Sequence, residues 1–129
     1  MSYIKTRTTF GSINELRTPN GALNSIDNKP AQINYNLSGR TLNKKWYRLN
    51  TLHREKDKPA IVEYNFNDDI GEYIASHEWY YNGERHRENE PAVIKYYPNG
   101  KISLTIWYNN NIMLKKIEYY ENGNPKDNK

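Results

Sequence analysis

Four short markers recur along this chain in one fixed order, and that repetition constrains its fold more than any other feature. Pro-Ala occurs at Pro30-Ala31, Pro59-Ala60 and Pro91-Ala92. Trp-Tyr occurs at Trp46-Tyr47, Trp79-Tyr80 and Trp107-Tyr108. His-Arg follows at His53-Arg54 and His86-Arg87, each His seven residues after a Trp. Asn-Gly occurs at Asn20-Gly21, Asn82-Gly83, Asn99-Gly100 and Asn122-Gly123. Successive units are 28 to 33 residues apart, so connecting loops differ in length. A chain of this kind stacks similar units, each in contact with its neighbours.

Alignment of the units exposes strands. Apolar and Tyr positions recur with period two: Ala31, Ile33, Tyr35; Ala60, Val62, Tyr64; Ala92, Ile94, Tyr96; and Ile117, Tyr119 in the last unit. The intervening positions are mostly polar, among them Gln32, Asn34, Glu63, Lys95, Lys116 and Glu118. Such alternation marks a half-buried strand with one wet face. A second strand precedes Trp107, with Ile102, Leu104, Ile106 and Tyr108 on one side and Ser103, Thr105 and Trp107 on the other. Asn-Gly between such runs favours type I′ hairpin turns, where both central residues take φ > 0. No run carries a helical period.

The fold expected is all-β: an elongated, single-layer, twisted antiparallel meander of tandem β-hairpin repeats, four to five hairpins without barrel closure. Residues 13–124 form the repeat domain. Residues 1–12 are read as an N-terminal extension or capping strand and residues 125–129 as a flexible tail, with both ends prone to fray. The divergent first unit (residues 13–27) and the truncated last one (residues 117–124) are read as caps for the exposed sheet edges.

Composition narrows the chemistry. Among 129 residues there is no Cys, which excludes disulfides, thiolate catalysis and Cys-based zinc sites. Aromatic residues make up 13%, against 36% hydrophobic overall, so this is an aromatic-rich, polar chain rather than a disordered one. The abundance of Asn, Lys, Ile and Tyr matches AT-rich coding. Net charge is +4, which permits acidic partners without requiring them. The first residues lack the apolar segment of a signal peptide, and no stretch approaches a membrane span of about 18 apolar residues. A cytoplasmic protein without a membrane partner is expected.

The segment Tyr96-Tyr97-Pro98-Asn99-Gly100-Lys101-Ile102, then Trp107-Tyr108, then Tyr119-Tyr120-Glu121-Asn122-Gly123 resembles the MORN-variant repeats of bacterial antitoxin-like proteins. The segment from Trp79-Tyr80-Tyr81-Asn82-Gly83 through His86-Arg87 to Pro91-Ala92, and that from His53 to Ala60, resemble a related repeat with the pattern W-Y-x-NG-x-x-HR-x-x-G-PA, found in giant viruses, bacteriophages and some bacteria. The resemblance covers residues 20–123. It departs from the pattern where Lys29, Lys58 and Glu90 replace the glycine before Pro-Ala. Asn24-Ser25 and Leu114-Lys115 stand in place of His-Arg in the first and last units. The resemblance implies a β-hairpin scaffold for interactions and, with the AT-rich bias, a viral or phage accessory protein that blocks a host defence protein in the host cytoplasm.

Several residues are candidates for partner contact. The Trp row (Trp46, Trp79, Trp107) recurs at one place in each unit, and Arg48, Arg54, Tyr81, Arg85 and Arg87 lie near it in sequence. Trp, Tyr and Arg are favoured at binding hot spots. The architectural alternative is that the Trp rings pack between hairpins and the His-Arg pairs brace turns. Nucleic acid or a small nucleotide is the rival ligand, since aromatics interleaved with Lys44, Lys45, Arg48 and Arg54 suit base stacking. His53, His77 and His86 are too dispersed to suggest a metal, and no nucleophile elbow or nucleotide loop is present. Asp68-Asp69, beside Asn65 and Asn67, reads as a turn. The expectation is a protein-binding module, not an enzyme, with no cofactor and no metal. A protein partner comes first, and a homodimer through an end strand or sheet face is allowed.

Overall fold

The computed structural model describes residues 2–126. Thirteen strands are present among the described residues: β1 (Ile4–Thr8), β2 (Gly11–Glu15), β3 (Gln32–Asn36), β4 (Thr41–Lys45), β5 (Tyr47–Arg48), β6 (Thr51–Leu52), β7 (Ile61–Asn67), β8 (Gly71–Glu78), β9 (Tyr80–Tyr81), β10 (Glu84–Arg85), β11 (Val93–Tyr96), β12 (Ile102–Asn109) and β13 (Ile112–Glu118). Nine of them form one antiparallel sheet in the order β1-β2-β3-β4-β7-β8-β11-β12-β13. The sheet is an open meander whose edges are β1 and β13. The short pairs β5–β6 and β9–β10 are hairpins of their own, inserted between β4 and β7 and between β8 and β11. The all-β repeat architecture read from the sequence is therefore present, and no helix occurs among the described residues.

The period-two pattern sets the register. One cross-strand row runs Lys5, Asn14, Ile33, Lys44, Val62, His77, Ile94, Thr105, Ile117 over all nine strands. Ile33, Val62 and Thr105 are buried in this row. On the second strand of the last unit Thr105 falls in this row, and Leu104 and Ile106 lie on the other face. The adjacent row, on the other face, runs Glu15, Gln32, Lys45, Ile61, Glu78, Val93, Ile106, Lys116. Ile61 and Val93 are buried on that face, which also carries side-chain hydrogen bonds, Gln32 to Glu15 (3.0 Å) and Asn34 to Asn43 (2.6 Å).

The Pro-Ala marker has a structural cause. Ala31, Ala60 and Ala92 have no exposed surface, and each joins three strands through its main chain. Their N–H groups donate to the carbonyls of Lys45, Glu78 and Ile106, and their carbonyls accept from the N–H groups of Leu16, Trp46 and Trp79. Leu16, the most buried large side chain, therefore fills in the first unit the position that Trp fills in the next two.

Two kinds of turn alternate. Leu49-Asn50, Asn82-Gly83 and Asn110-Asn111 have both residues at positive φ, as a type I′ turn requires. At Asn20-Gly21, Asn99-Gly100 and Asn122-Gly123 only the glycine is left-handed. There the glycine N–H donates three residues back (Gly100 to Tyr97, 2.9 Å), and the flanking strand is bulged at Lys95/Tyr96. The expectation of a type I′ turn at every Asn-Gly thus holds at Asn82-Gly83 alone. Elsewhere the loop is longer, and glycine takes the last left-handed position of a bulged turn.

Both chain ends carry main-chain pairing. In the segment read as an extension or capping strand, residues 4–8 form the edge strand β1 and residues 11–12 begin β2, which is fully laddered to β3. At the other end, Lys126 N–H donates to Glu118 O (2.7 Å) and Pro125 bridges Tyr119, so the first two residues of the expected tail are paired. Residues 127–129 lie outside the described residues. None of the described residues forms a helix long and apolar enough to cross a membrane.

Candidate functional site

The Trp, His and Arg markers converge at the corners where each long strand passes into a short hairpin. In the second unit the Trp46 indole N–H donates to the carbonyl of Asn28 (2.9 Å), and the Arg54 guanidinium stacks 3.8 Å from the ring centroid. Arg54 Nε donates to Asn28 Oδ1 (3.1 Å) and its Nη1 donates to Pro59 O (2.9 Å). The third unit repeats this. Trp79 donates to Asp57 O (3.0 Å), Arg87 stacks on Trp79 (3.9 Å), and Arg87 donates to both Asp57 oxygens (2.8 and 3.1 Å) and to Pro91 O (3.1 Å). Asn28 and Asp57 hold equivalent left-handed positions two residues before Pro. Asn and Asp tolerate that conformation better than bulkier residues.

The histidines tie each unit to the next. Asn82 N–H donates to Nδ1 of His53 (3.0 Å), and Asn110 N–H to Nδ1 of His86 (3.2 Å). Asn24 does the same in the first unit, its Oδ1 accepting from Leu49 N–H (3.1 Å). With Nδ1 accepting, the His53 proton sits on Nε2 and points at Glu55 (2.8 Å). That bond holds the Glu55 carboxyl below the usual carboxylate range. The hairpin turns add main-chain bonds, with Asn50, Gly83 and Asn111 N–H donating to the carbonyls of Leu23, Leu52 and Arg85. In the last unit Lys115 lies 5.0 Å from the Trp107 ring and Leu114 replaces His, so the lock weakens where the array ends.

This geometry places every residue proposed for partner contact. Trp46 and Trp79 are buried, 7% and 8% exposed, and serve the lock. Arg54 and Arg87 cover those rings and brace the corners. Trp107 is half-buried under Lys115. Arg85 stands apart, bonded to Glu78 (3.2 Å) and 5.6 Å from the rings of Tyr80 and Tyr108. Arg48 and Tyr81 remain open to solvent. Arg48 reaches Asn82 and Glu55, and Tyr81 lies 4.6 Å from the His53 ring. Lys44 and Lys45, expected beside Trp46, point elsewhere, Lys44 toward the Tyr64 ring (5.4 Å).

Trp46 and Trp79 each line an open groove. The first, of about 290 Å³, is lined by Asn28, Trp46, Arg48, His53, Arg54 and Lys56 among others. The second, of about 590 Å³, is lined by Arg54, Asp57, Trp79, Tyr81, Arg87 and Glu88 among others. Asn28, Lys56 and Asp57 were not singled out in the sequence; their common place just before Pro-Ala is the signal that finds them. No three potential metal ligands converge among the described residues. His77 is the remaining histidine. It sits between Val62 and Ile94 in the cross-strand row with Nδ1 2.8 Å from Tyr96 Oη, and burial, followed by Arg54 and Arg87, disfavours its protonation. Asp68 and Asp69 lie in the β7–β8 turn, where Asp69 N–H donates to Asn67 Oδ1 (2.8 Å). Comparisons with protein-family models, with curated proteins and with solved structures returned no match for this chain.

Proposed function

We propose that this chain is a non-enzymatic protein-binding module that presents the groove-bearing corners of its repeats to one partner. The observation that carries this reading is the repetition of an open groove at equivalent corners. Aromatic rings and guanidinium groups line both grooves, and Arg48 and Tyr81 are exposed beside them (Arg48 side chain 52%, Tyr81 44%). Rings and guanidinium groups on a rigid frame are what protein hot spots use. The rival nucleic-acid reading needs open ring faces on which bases stack. Trp46 and Trp79 offer none, being buried and capped by their own Arg. The resemblance to MORN-variant repeats extends the proposal to a viral or phage accessory protein acting on a host defence protein.

The test is capture from nuclease-treated lysate of the native cellular context, with wild type beside an Arg48→Glu/Tyr81→Ser variant. A Phe66→Ser/Ile74→Ser variant, altered on the exposed β7–β8 hairpin, is the control. One stoichiometric protein retained by wild type and control, and lost by the groove variant, is expected. Retention of nucleic acid or nucleotide alone overturns the reading.

A further inference from the structure

The two equivalent corners differ in one atom pair, and that difference leaves a charge unanswered. At the second corner the Arg87 guanidinium is held by the Asp57 carboxylate through two hydrogen bonds. At the first corner the equivalent partner of Arg54 is Asn28, a neutral amide making a single bond of 3.1 Å. Arg54 forms no ion pair among the described residues. Its guanidinium is half-buried, and burial lowers its affinity for the proton. A half-buried guanidinium held only by neutral acceptors and a ring keeps part of its desolvation cost, and an added carboxylate relieves it.

The surroundings of the two grooves follow the same asymmetry. The second carries Arg54, Lys56 and Arg87 against Glu55, Asp57 and Glu88, which is balanced. The first carries Arg48, Arg54, Lys56 and Lys58 against Glu55 alone. Glu55 is already engaged by His53 (2.8 Å) and Arg48 (3.5 Å). The fold has thus built the same corner twice and supplied the carboxylate once.

We propose that the first groove receives a carboxylate from outside, carried on an acidic segment of a partner protein, which takes at Arg54 the place that Asp57 takes at Arg87. This rests on the protein-binding reading and specifies the chemistry of the partner. A peptide suits the groove because its walls are not only basic. Trp46 and Tyr47 line it too, and its volume of about 290 Å³ accommodates a side chain rather than an extended polyanion. Arg matches a carboxylate with two parallel N–H donors.

The test uses two substitutions that the fold has already validated. Asn28 and Asp57 share a left-handed backbone (φ 61° and 53°), so Asn28→Asp and Asp57→Asn each install a residue the position accepts. The probe is a capped hexapeptide of alternating Glu and Asp, titrated into ¹⁵N-labelled protein. The Trp46 and Trp79 indole N–H signals report on the two corners, because each is bonded to the carbonyl of the exchanged residue. In wild type the Trp46 signal shifts on titration and the Trp79 signal does not. Asn28→Asp weakens the response at Trp46 at least tenfold, and Asp57→Asn creates one at Trp79. A wild-type Trp46 signal that ignores the peptide, or a response unchanged by Asn28→Asp, overturns the proposal. So does an oligothymidylate of six nucleotides that moves the same signals more tightly, because the ligand is then a phosphate. Capture separates the two levels of the argument. A partner retained equally by Asn28→Asp defeats the carboxylate site and leaves the binding module standing. A peptide response with no partner captured does the reverse.

Discussion

Replacing His53 by Ala tests the unit-to-unit lock, because its side chain performs two tasks at once. The ring is 4% exposed, accepts the Asn82 N–H at 3.0 Å, and packs against Tyr81. Alanine leaves that partly buried N–H without an acceptor, worth about 1 kcal/mol, the low end of the usual range because Asn82 itself is exposed. Loss of the packed ring adds about 1–2 kcal/mol. The expected total is about 2–3 kcal/mol. At about 2.1 cal/mol/K of unfolding entropy per residue, a chain of this length loses about 4 °C per kcal/mol, so Tm falls by about 8–12 °C. The comparison variants come from the chain itself. Asn24 does the work of His53 in the first unit through its Oδ1, so His53→Asn recovers about half of the loss. His86 is less buried and its bond is longer, 3.2 Å, so His86→Ala costs less than His53→Ala. Thermal and urea unfolding followed by circular dichroism measures all three. A loss below about 1 kcal/mol for His53→Ala, or no recovery with Asn, refutes the assignment of His53 as an inter-unit acceptor.

Other perturbations probe the rest of the frame. Gly11→Ala would put a Cβ 1.8 Å from the Tyr35 carbonyl oxygen, which only separation of β2 from β3 relieves. It should cost more than about 2 kcal/mol and remove amide-exchange protection from residues 4–15 first. Ala60→Val forces two methyl groups into a position with no exposed surface, with an expected loss of about 1–3 kcal/mol in urea unfolding. Burial, followed by the neighbouring Glu78 carboxylate, raises the Glu63 carboxyl above its ordinary value despite Lys45, Asn43 and Lys95. The folded state thus holds that proton more tightly than the unfolded one, and ionised Glu63 costs stability at neutral pH. Glu63→Gln should stabilise at pH 7, by less than about 1 kcal/mol because the site is half-exposed. The gain should shrink as pH falls through the folded value and vanish below the unfolded value of about 4.3. A gain that persists at pH 3 contradicts this.

The parts of the fold that the sequence discloses are those each unit repeats. Ala31, Ala60 and Ala92 need zero volume at a three-strand junction, and Trp46 and Trp79 need an acceptor and a cation, so the same residues return in the same order. Even the exceptions were visible. Asn24-Ser25 in place of His-Arg keeps the function of the histidine, with Asn24 Oδ1 as the acceptor and Ser25 Oγ accepting from Tyr47 N–H (3.1 Å). Turn type was not legible, because it depends on strand register. Leu49-Asn50 forms a two-residue left-handed turn without glycine, while Asn99-Gly100 is drawn into a bulged loop. The bounds of β1 were not legible within the N-terminal segment, because every one of its side chains is exposed and only main-chain pairing with β2 defines it. The site was half legible. The markers identified the corners, but sequence order does not reveal that Arg54 and Arg87 cap the Trp rings from which they are eight residues removed. Nor does it set Asn28 against Asp57 as the difference between two otherwise equal grooves.

Hydrogen exchange of the captured complex against the free protein tests the central claim most directly. Binding at the corners predicts added protection in residues 46–58 and 79–89, with β1, β13 and the β7–β8 turn unchanged. Protection confined to an edge strand, or to the sheet face that carries Glu63 and Lys95, contradicts it.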